Sequence, residues 1–372
     1  MNETSKSKKK VLYFATYNAN AEFYNEQGKG FWGNMLLCYK EVFDLYIVLF
    51  NKHITEPINR QSIYGINNVQ VIMLPWKKKI NYFPTAGLYK SIIPYFSDID
   101  IDYVICQNAS PFALTGKLFA RRYKAKFIIH EHTLFRTIKE QRTVEGVKSW
   151  HHILRSLGLF LADHIITPSQ YLANDIQKNV LMCKNVSVIP NPVFNICEKN
   201  NKSCCKKTAV AIANWHLNKN LALLIAAFNK VNNDKELKLI VIGHITEIVQ
   251  NSISELNTSN VEFTGHLQHD IAIDYLKNAS MFILPSQYES FSLPVVEAML
   301  LKIPVVSTRC GAPEEILAEN RGLICDINVN SLAKSINQVI EGRSSVDLEA
   351  AYKWVKENTG KNAIVNAISN IL

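Results

Sequence analysis

Short apolar, β-branched runs recur along this chain, separated by stretches with helical spacing. Val11 to Thr16, Asp44 to Phe50, Val69 to Leu74, Tyr103 to Gln107, Phe127 to His130 and His164 to Pro168 read as buried strands, and about Phe31 to Lys40 as a helix. Val186 to Ile189 closes the series, and Pro190-Asn191-Pro192 breaks it. Residues 195–207 are polar, as a linker or exposed loop would be. A second series follows: strand Ala209 to Ala213, helix Leu221 to Val231, and strands Lys238 to Gly243, Val261 to Phe263 and Met281 to Leu284. A helix carrying Glu297 and the strand Ile303 to Ser307 continue it, short elements run to about residue 341, and the last thirty residues read as helices. Alternating strands and helices of this kind predict parallel α/β structure. The expected architecture is two doubly wound, Rossmann-like domains facing a central cleft. Their expected limits are a polar tail (1–9), an N-terminal domain (10–192), a C-terminal domain (193–345) and terminal helices (346–372) that pack back on the first domain.

Composition agrees with a globular class, at 372 residues, 48% apolar and 20% charged. No run approaches the roughly 18 apolar residues of a membrane span, and the N-terminal MNETSKSKKK lacks the apolar core of a signal peptide. The eight cysteines show no repeated spacing and no C-x-x-C, so reduced thiols and a cytoplasmic setting are expected. Charge changes the picture more. Residues 1–190 hold 24 lysines and arginines against 14 acids, whereas residues 191–372 hold 17 against 18. A basic first half implies an anionic surface or substrate there, or simply a solvated basic face.

Candidate chemistry centres on Pro285 to Gly311, where Glu289 and Glu297 stand eight positions apart in a strand–loop–helix–strand unit. Ligands of such units bind outside the carboxyl ends of the strands, so both acids can face one crevice beside a helix N-terminus suited to phosphate. Lys219 opens the helix Leu221 to Val231, a position where a cation opposes the helix dipole unless an anion sits there. His130-Glu131-His132 closes a strand at its carboxyl end; a metal pair is conceivable, but no third ligand has suitable spacing, and a sugar or phosphate contact by His130 is preferred. Gly28, Gly30 and Gly33 spell G-x-G-x-x-G, too far from the first strand for a dinucleotide fingerprint, which leaves a glycine loop approaching a phosphate or sugar. The D-x-D within Asp98 to Asp102 precedes its strand and reads as a surface turn. Pro75 to Ile80, Tyr82-Phe83 and Leu88 to Ile93 interleave lysines with aromatic and aliphatic residues as an interfacial membrane segment does, and Arg121, Arg122, Lys124 and Lys126 add a second basic cluster. No nucleic-acid-binding pattern accompanies this charge, so nucleic acid is not an expected partner.

The stretch ESFSLPVVEAMLLKIPVVSTRCGAPEEIL resembles the paired-glutamate region of family-4 retaining glycosyltransferases (glycosyl transferase group 1), whose fold is GT-B. Ile189-Pro190-Asn191, Phe263-Thr264-Gly265 and Leu284-Pro285-Ser286 resemble further family segments in the same order, and Ala209 to Phe228 resembles the phosphate-binding strand–loop–helix. The resemblance implies a hexosyltransferase-type enzyme that moves a sugar from a UDP- or GDP-sugar to a glycan or lipid-linked acceptor in cell-surface polysaccharide biosynthesis. It implies that Glu297 holds the ribose, that Glu289 and His130 contact the donor sugar, and that Lys219 neutralises the leaving diphosphate. The amides of Ser290, Phe291 and Ser292 bind sugar or phosphate in this reading, with Asn214 and Gly30 as further donor contacts. No metal and no other cofactor is expected. Peripheral association with the inner face of the plasma membrane is a further expectation. Two departures stand out: Ala213-Asn214 replace the family's glycine-arginine, removing a cation, and Ser290 and Ser292 replace glycines. The alternatives are a nucleotide-sugar epimerase or hydrolase of the same fold, or a non-catalytic nucleotide-sugar-binding protein.

Overall fold

The computed structural model describes residues 8–15, 31–51, 54–63, 65–75, 86–109, 112–137, 150–182, 185–196, 208–231 and 236–372. The chain divides into two compact units, Met1–Pro192 with Ile364–Leu372, and Val193–Ala363.

The first unit is built on β1 (Lys10–Phe14), β2 (Asp44–Asn51), β3 (Ile58–Ile63), β4 (Ile66–Pro75), β5 (Tyr103–Gln107), β6 (Lys126–His130), β7 (His164–Thr167) and β8 (Val186–Val188). Their order is β3-β4-β2-β1-β5-β6-β7-β8. Every pairing is parallel except the β3–β4 hairpin at the edge. The sequence pattern passes over β3 because its middle residues are exposed and polar, as suits an edge strand. The central strands are apolar on both faces, and Val11, Leu12, Ile105, Ile128 and Ile129 are fully buried.

The second unit contains β9 (Thr208–Ile212), β10 (Lys238–Ile242), β11 (Val261–Gly265), β12 (Met281–Leu284), β13 (Val305–Thr308) and β14 (Leu323–Cys325). The sheet is wholly parallel, in the order β11-β10-β9-β12-β13-β14. This is the Rossmann arrangement, with its reversal of strand order between β9 and β12. Alternate strand residues serve opposite faces. Ala209, Ala211, Leu239, Val241, Met281 and Ile283 pack with the Leu221–Val231 and Val329–Ile340 helices. Val210, Ile240, Ile242, Phe282 and Leu284 pack with the His269–Lys277, Leu293–Leu300 and Leu348–Thr359 helices. In the Leu221–Val231 helix, Leu221, Leu224, Ile225 and Phe228 fall on one stripe and are buried, worth about 1.5–3 kcal/mol for each large side chain.

Two expectations are revised. The Leu348–Thr359 helix lies in the second unit, because Ala351 and Val355 fill its core beside Val296 and Met299; that unit therefore runs to Ala363 instead of residue 345. Residues Ile364–Leu372 belong to the first unit, where the Leu372 carbonyl accepts from the Tyr103 hydroxyl and from Lys9 Nζ at 3.3 Å. The membrane-like segment is also revised in its described part. In the Ala86–Ile92 helix, Leu88 and Ile92 are buried and Tyr89 packs on Phe119 at 4.7 Å, so the apolar side chains serve the unit's own core. Residues 76–85 lie outside the described residues. Among the described residues no helix is long and apolar enough to cross a membrane.

Candidate active site

In a doubly wound sheet, the loops after the two strands flanking the reversal diverge to opposite faces and leave a crevice. In the second unit these are the loops after β9 and β12, and their side chains meet. Lys219, in the 3-10 turn Leu217–Lys219 after β9, places Nζ 2.6 Å from Glu289 Oε1 in the loop after β12. Ser286 Oγ donates to the same oxygen at 2.7 Å. Backbone bonds clip the loops together: Gln287 N–H donates to the Asn218 carbonyl at 2.8 Å, and Glu289 N–H to the Cys310 carbonyl after β13 at 2.6 Å. Thr308 Oγ1 donates to the Ser286 carbonyl at 2.5 Å. Asn220 ends the Lys219 turn in the left-handed region (φ 55), which asparagine tolerates.

The third wall of this crest is set by a close approach. Gly243, at the end of β10, has φ +122, and a Cβ there would stand 1.8 Å from the Ala213 carbonyl oxygen. Trp215 is buried beside it, its indole N–H donating to the Ile242 carbonyl at 3.0 Å. Asn214, between them, is exposed. No cation occupies that position, so the positive charge of the β9 loop rests on Lys219.

Glu297 lies in the Leu293–Leu300 helix, whose apolar residues Val295, Val296 and Met299 are fully buried. Its side chain is only 12% exposed, and His269 Nε2 lies 2.8 Å from Oε1. Ser292 begins this helix at φ 87, ψ 90, a conformation unusual for a residue with a Cβ. The loop thus keeps the left-handed geometry that glycine would adopt freely. Phe291 is buried in the core beneath, so only its backbone can face a ligand, and Ser290 stands beside Glu289 in the same loop. The first amides of the helix have no intrahelical acceptor.

The remaining candidate belongs to the first unit. His130 ends β6 and is fully buried, with Nδ1 3.2 Å from the Tyr39 hydroxyl. Its Nε2 has no hydrogen-bond partner among the described residues, nor has either ring nitrogen of His132, whose ring is 4.4 Å from that of His130. Desolvation, and then the neighbouring His132, hold the His130 pKa well below the usual range despite the opposing pull of Glu131. Desolvation brings His132 down to about 3, so both rings are neutral at pH 7. Glu131, by contrast, is fully engaged. It accepts the amides of Ala109 at 2.8 Å and Thr133 at 2.9 Å, and lies 3.5 Å from Arg155 Nε. Its task is holding the loop, which removes it from any ligand set.

The structure therefore brings Glu289, Lys219 and the Ser290–Ser292 loop together and sets Glu297 on the helix that follows. Gly28 and Gly30 lie outside the described residues, and Gly33 is buried within the Phe31–Val42 helix. Asp102 Oδ2 accepts the Lys10 amide at 2.8 Å, a structural role that suits its position before β5. Among the described residues no three metal-ligating side chains cluster. Burial pushes the Cys310 thiol up to about 12, which makes it a poor nucleophile beside Glu289. Sequence reasoning missed Ser286 and His269. Ser286 sits three residues before Glu289 and was within reach of a loop argument; His269 is 28 residues from Glu297 and gave no signal.

The chain is similar to known proteins in sequence and in fold. The description "Glycosyl transferases group 1" matches residues 194–359, and "Glycosyltransferase Family 4" matches residues 47–194. The chain is 23% identical over 319 residues to the N-acetylgalactosamine-N,N'-diacetylbacillosaminyl-diphospho-undecaprenol 4-alpha-N-acetylgalactosaminyltransferase of Campylobacter jejuni, covering 84% of this chain and 85% of that one. Among solved structures, sucrose-phosphate synthase from Thermosynechococcus elongatus aligns with TM-score 0.75 at 14% identity, covering 98% of each chain. The Anabaena protein HepE, solved with UDP-glucose, aligns with TM-score 0.73 at 15% identity over 97% of this chain and 98% of that one. Likeness at such identity shows the fold, which is GT-B.

Proposed function

This chain belongs to the group 1 glycosyltransferases of family 4, and on that footing we propose that it transfers a sugar, with retention, from a UDP- or GDP-sugar to a glycan or lipid-linked acceptor. The observation that carries the reading is the convergence of Lys219 and Glu289, 2.6 Å apart, at the strand-order reversal of the second unit. A lysine held there by one carboxylate is placed to exchange that partner for a diphosphate, which offers more negative charge at the same spot. Glu297, 9% exposed on the adjoining helix, is the ribose contact. Glu289, released from Lys219 or sharing it, contacts the donor sugar, and the amides of the Ser290–Ser292 loop take sugar or phosphate oxygens. The unpartnered Nε2 of His130 is the atom that would meet a donor-sugar hydroxyl, since a buried polar atom without a partner is costly unless a ligand supplies one.

The chemistry asked of these groups is stabilisation of a leaving diphosphate. The departing phosphate oxygen can take the proton of the acceptor hydroxyl on the face where the new bond forms, so configuration is retained and no protein base is required. Preorganised positive charge at a developing anion is the main protein contribution, and removing one such donor typically costs about 10²–10³ in rate. With Asn214 in the place of a second cation, that task falls on Lys219 and the loop amides. A lipid-linked acceptor in cell-surface polysaccharide synthesis suits the basic first half of the chain, and the Campylobacter relative's name carries a diphospho-undecaprenol acceptor. Attachment at an anionic membrane surface belongs to the same proposal and is checked by co-sedimentation with vesicles of anionic and neutral lipid.

The test is donor turnover by the purified chain with a panel of UDP- and GDP-sugars. Glu297→Ala and Lys219→Ala are expected to abolish most of it, and unchanged turnover in both would refute the site. A binding-only role, favoured by the exposed Asn214, predicts nucleotide binding without turnover, with activity gained on Asn214→Arg. Donor consumed without any acceptor would support the epimerase or hydrolase reading.

A further inference from the structure

Glu297 is a carboxylate in an awkward place. Its backbone belongs to a helix whose neighbours Val295, Val296, Ala298 and Met299 are fully buried, and its side chain is 12% exposed. A charge so nearly removed from water needs a hydrogen-bonding partner. The partner described for it is His269 Nε2, 2.8 Å from Oε1. We propose that His269 is a positioning residue for nucleotide binding, fixing the Glu297 carboxylate so that its other oxygen and remaining lone pairs are presented to the two ribose hydroxyls of the donor. This rests on the reading of Glu297 as the ribose contact.

The local structure holds the histidine where this requires it. β11 ends at Gly265, whose positive φ (+69) turns the chain, and Gln268 in extended conformation precedes the His269–Lys277 helix. That helix buries Ala272, Ile273 and Leu276 in the same core as Val295, Val296 and Met299. The two helices are therefore locked by packing, and the pair that joins the start of one to the second turn of the other is set by the backbone. His269 itself is 36% exposed in its side chain, so it contributes little to the core.

The chemistry follows from the groups. An ionised carboxylate offers about four lone-pair sites. One N–H on Oε1 uses one of them and stops rotation about the terminal torsion, while three acceptor sites stay available to a pair of neighbouring hydroxyls. A glutamate free to rotate would lose that freedom on binding, and the ligand would bind more weakly by that amount. With Nε2–H as the donor, Nδ1 carries no proton in the neutral ring. The opposite role, a histidine that competes with the ribose for Glu297, predicts tighter binding when it is removed.

Calorimetric titration with UDP and with GDP decides between them, using whichever binds the wild type. His269→Phe, which keeps the ring shape and removes the donor, is expected to weaken binding about five- to tenfold, the effect of one lost hydrogen bond. His269→Gln, which restores an N–H, should recover most of the loss, and in turnover assays the effect should fall on the donor KM more than on kcat. In the double variant with Glu297→Ala the His269→Phe change should add little, because each loss acts through the same carboxylate. Unchanged or tighter binding in His269→Phe, with Glu297→Ala still weakened, overturns the positioning role alone. Unchanged binding in Glu297→Ala overturns the ribose reading, and the role of His269 with it.

Discussion

The two units share a strand order around their reversal points, yet their carboxyl-terminal crests are chemically opposite. In the first, the ionisable groups at the end of β6 are taken out of play. His130 and His132 are desolvated and neutral, and Glu131 is fully engaged with backbone amides and Arg155. In the second, Lys219 is paired with Glu289, a partner it can exchange, and the Glu297 carboxylate is held by His269. A crest that must receive an anion needs cations whose present partners can be replaced. A crest that contacts neutral hydroxyls does better with uncharged donors and acceptors in an apolar surround, where a hydrogen bond is strong and no ion has to be desolvated. This contrast supports the proposal that leaving-group charge is met in the second unit and neutral groups in the first.

The sharpest way to break it is a pair of substitutions. Lys219→Ala should lower donor turnover by about 10²–10³, while His130→Phe should lower it by about tenfold, the scale of one hydrogen bond. Equal losses in steady-state assays would erase the distinction. Next in size is Gly243→Ala. Its Cβ would meet the Ala213 carbonyl at 1.8 Å in a backbone conformation that disfavours side chains. A loss of about 2–4 kcal/mol in urea unfolding is expected from strain and overpacking, and a stability near wild type would mean the β9–β10 crest is less constrained than described. Glu297→Ala removes a charged acceptor of ribose hydroxyls and should weaken nucleotide binding about 10- to 100-fold at about 1.5–3 kcal/mol, with little effect on stability of the first unit.

The smallest effect concerns pH. The folded pKa values of His130 and His132 lie below the ordinary 6.5, so the unfolded chain binds more protons in acid. Stability from this source is complete above about pH 6.5 and declines as the pH falls, down to about 3 for His132. Urea midpoints at pH 7.5 and 5 should differ less in His132→Phe than in wild type. An unchanged difference would mean that His132 is not held neutral by burial.

How much of this could be read from the sequence differs between the units for a physical reason. Buried parallel strands are nearly continuous apolar runs, so β5, β12 and the Leu221–Val231 helix were legible to the residue. The edge strand β3 was not, because one exposed polar strand carries no hydrophobic signature. Glu289 and Glu297 were legible because strand, loop and helix follow one another within a short stretch. Their partners were only partly so: Lys219 could be suspected from its cost at a helix start, but its meeting with Glu289 depends on the reversal of strand order. His269 depends on two helices packing side by side. The stretch Leu88 to Ile93, read as part of an interfacial segment, shows the limit from the other side, since Leu88 and Ile92 are buried in the core and periodicity does not say which apolar surface an amphipathic helix will cover.

The central claim is that the second crest binds the diphosphate of a nucleotide donor through Lys219. Calorimetry on the full chain tests it most directly, by comparing the nucleoside diphosphate that binds (UDP or GDP) with its nucleoside, in wild type and in Lys219→Ala. The account predicts that wild type prefers the diphosphate strongly and that most of the preference disappears in Lys219→Ala. A preference of the same size in both proteins would contradict it.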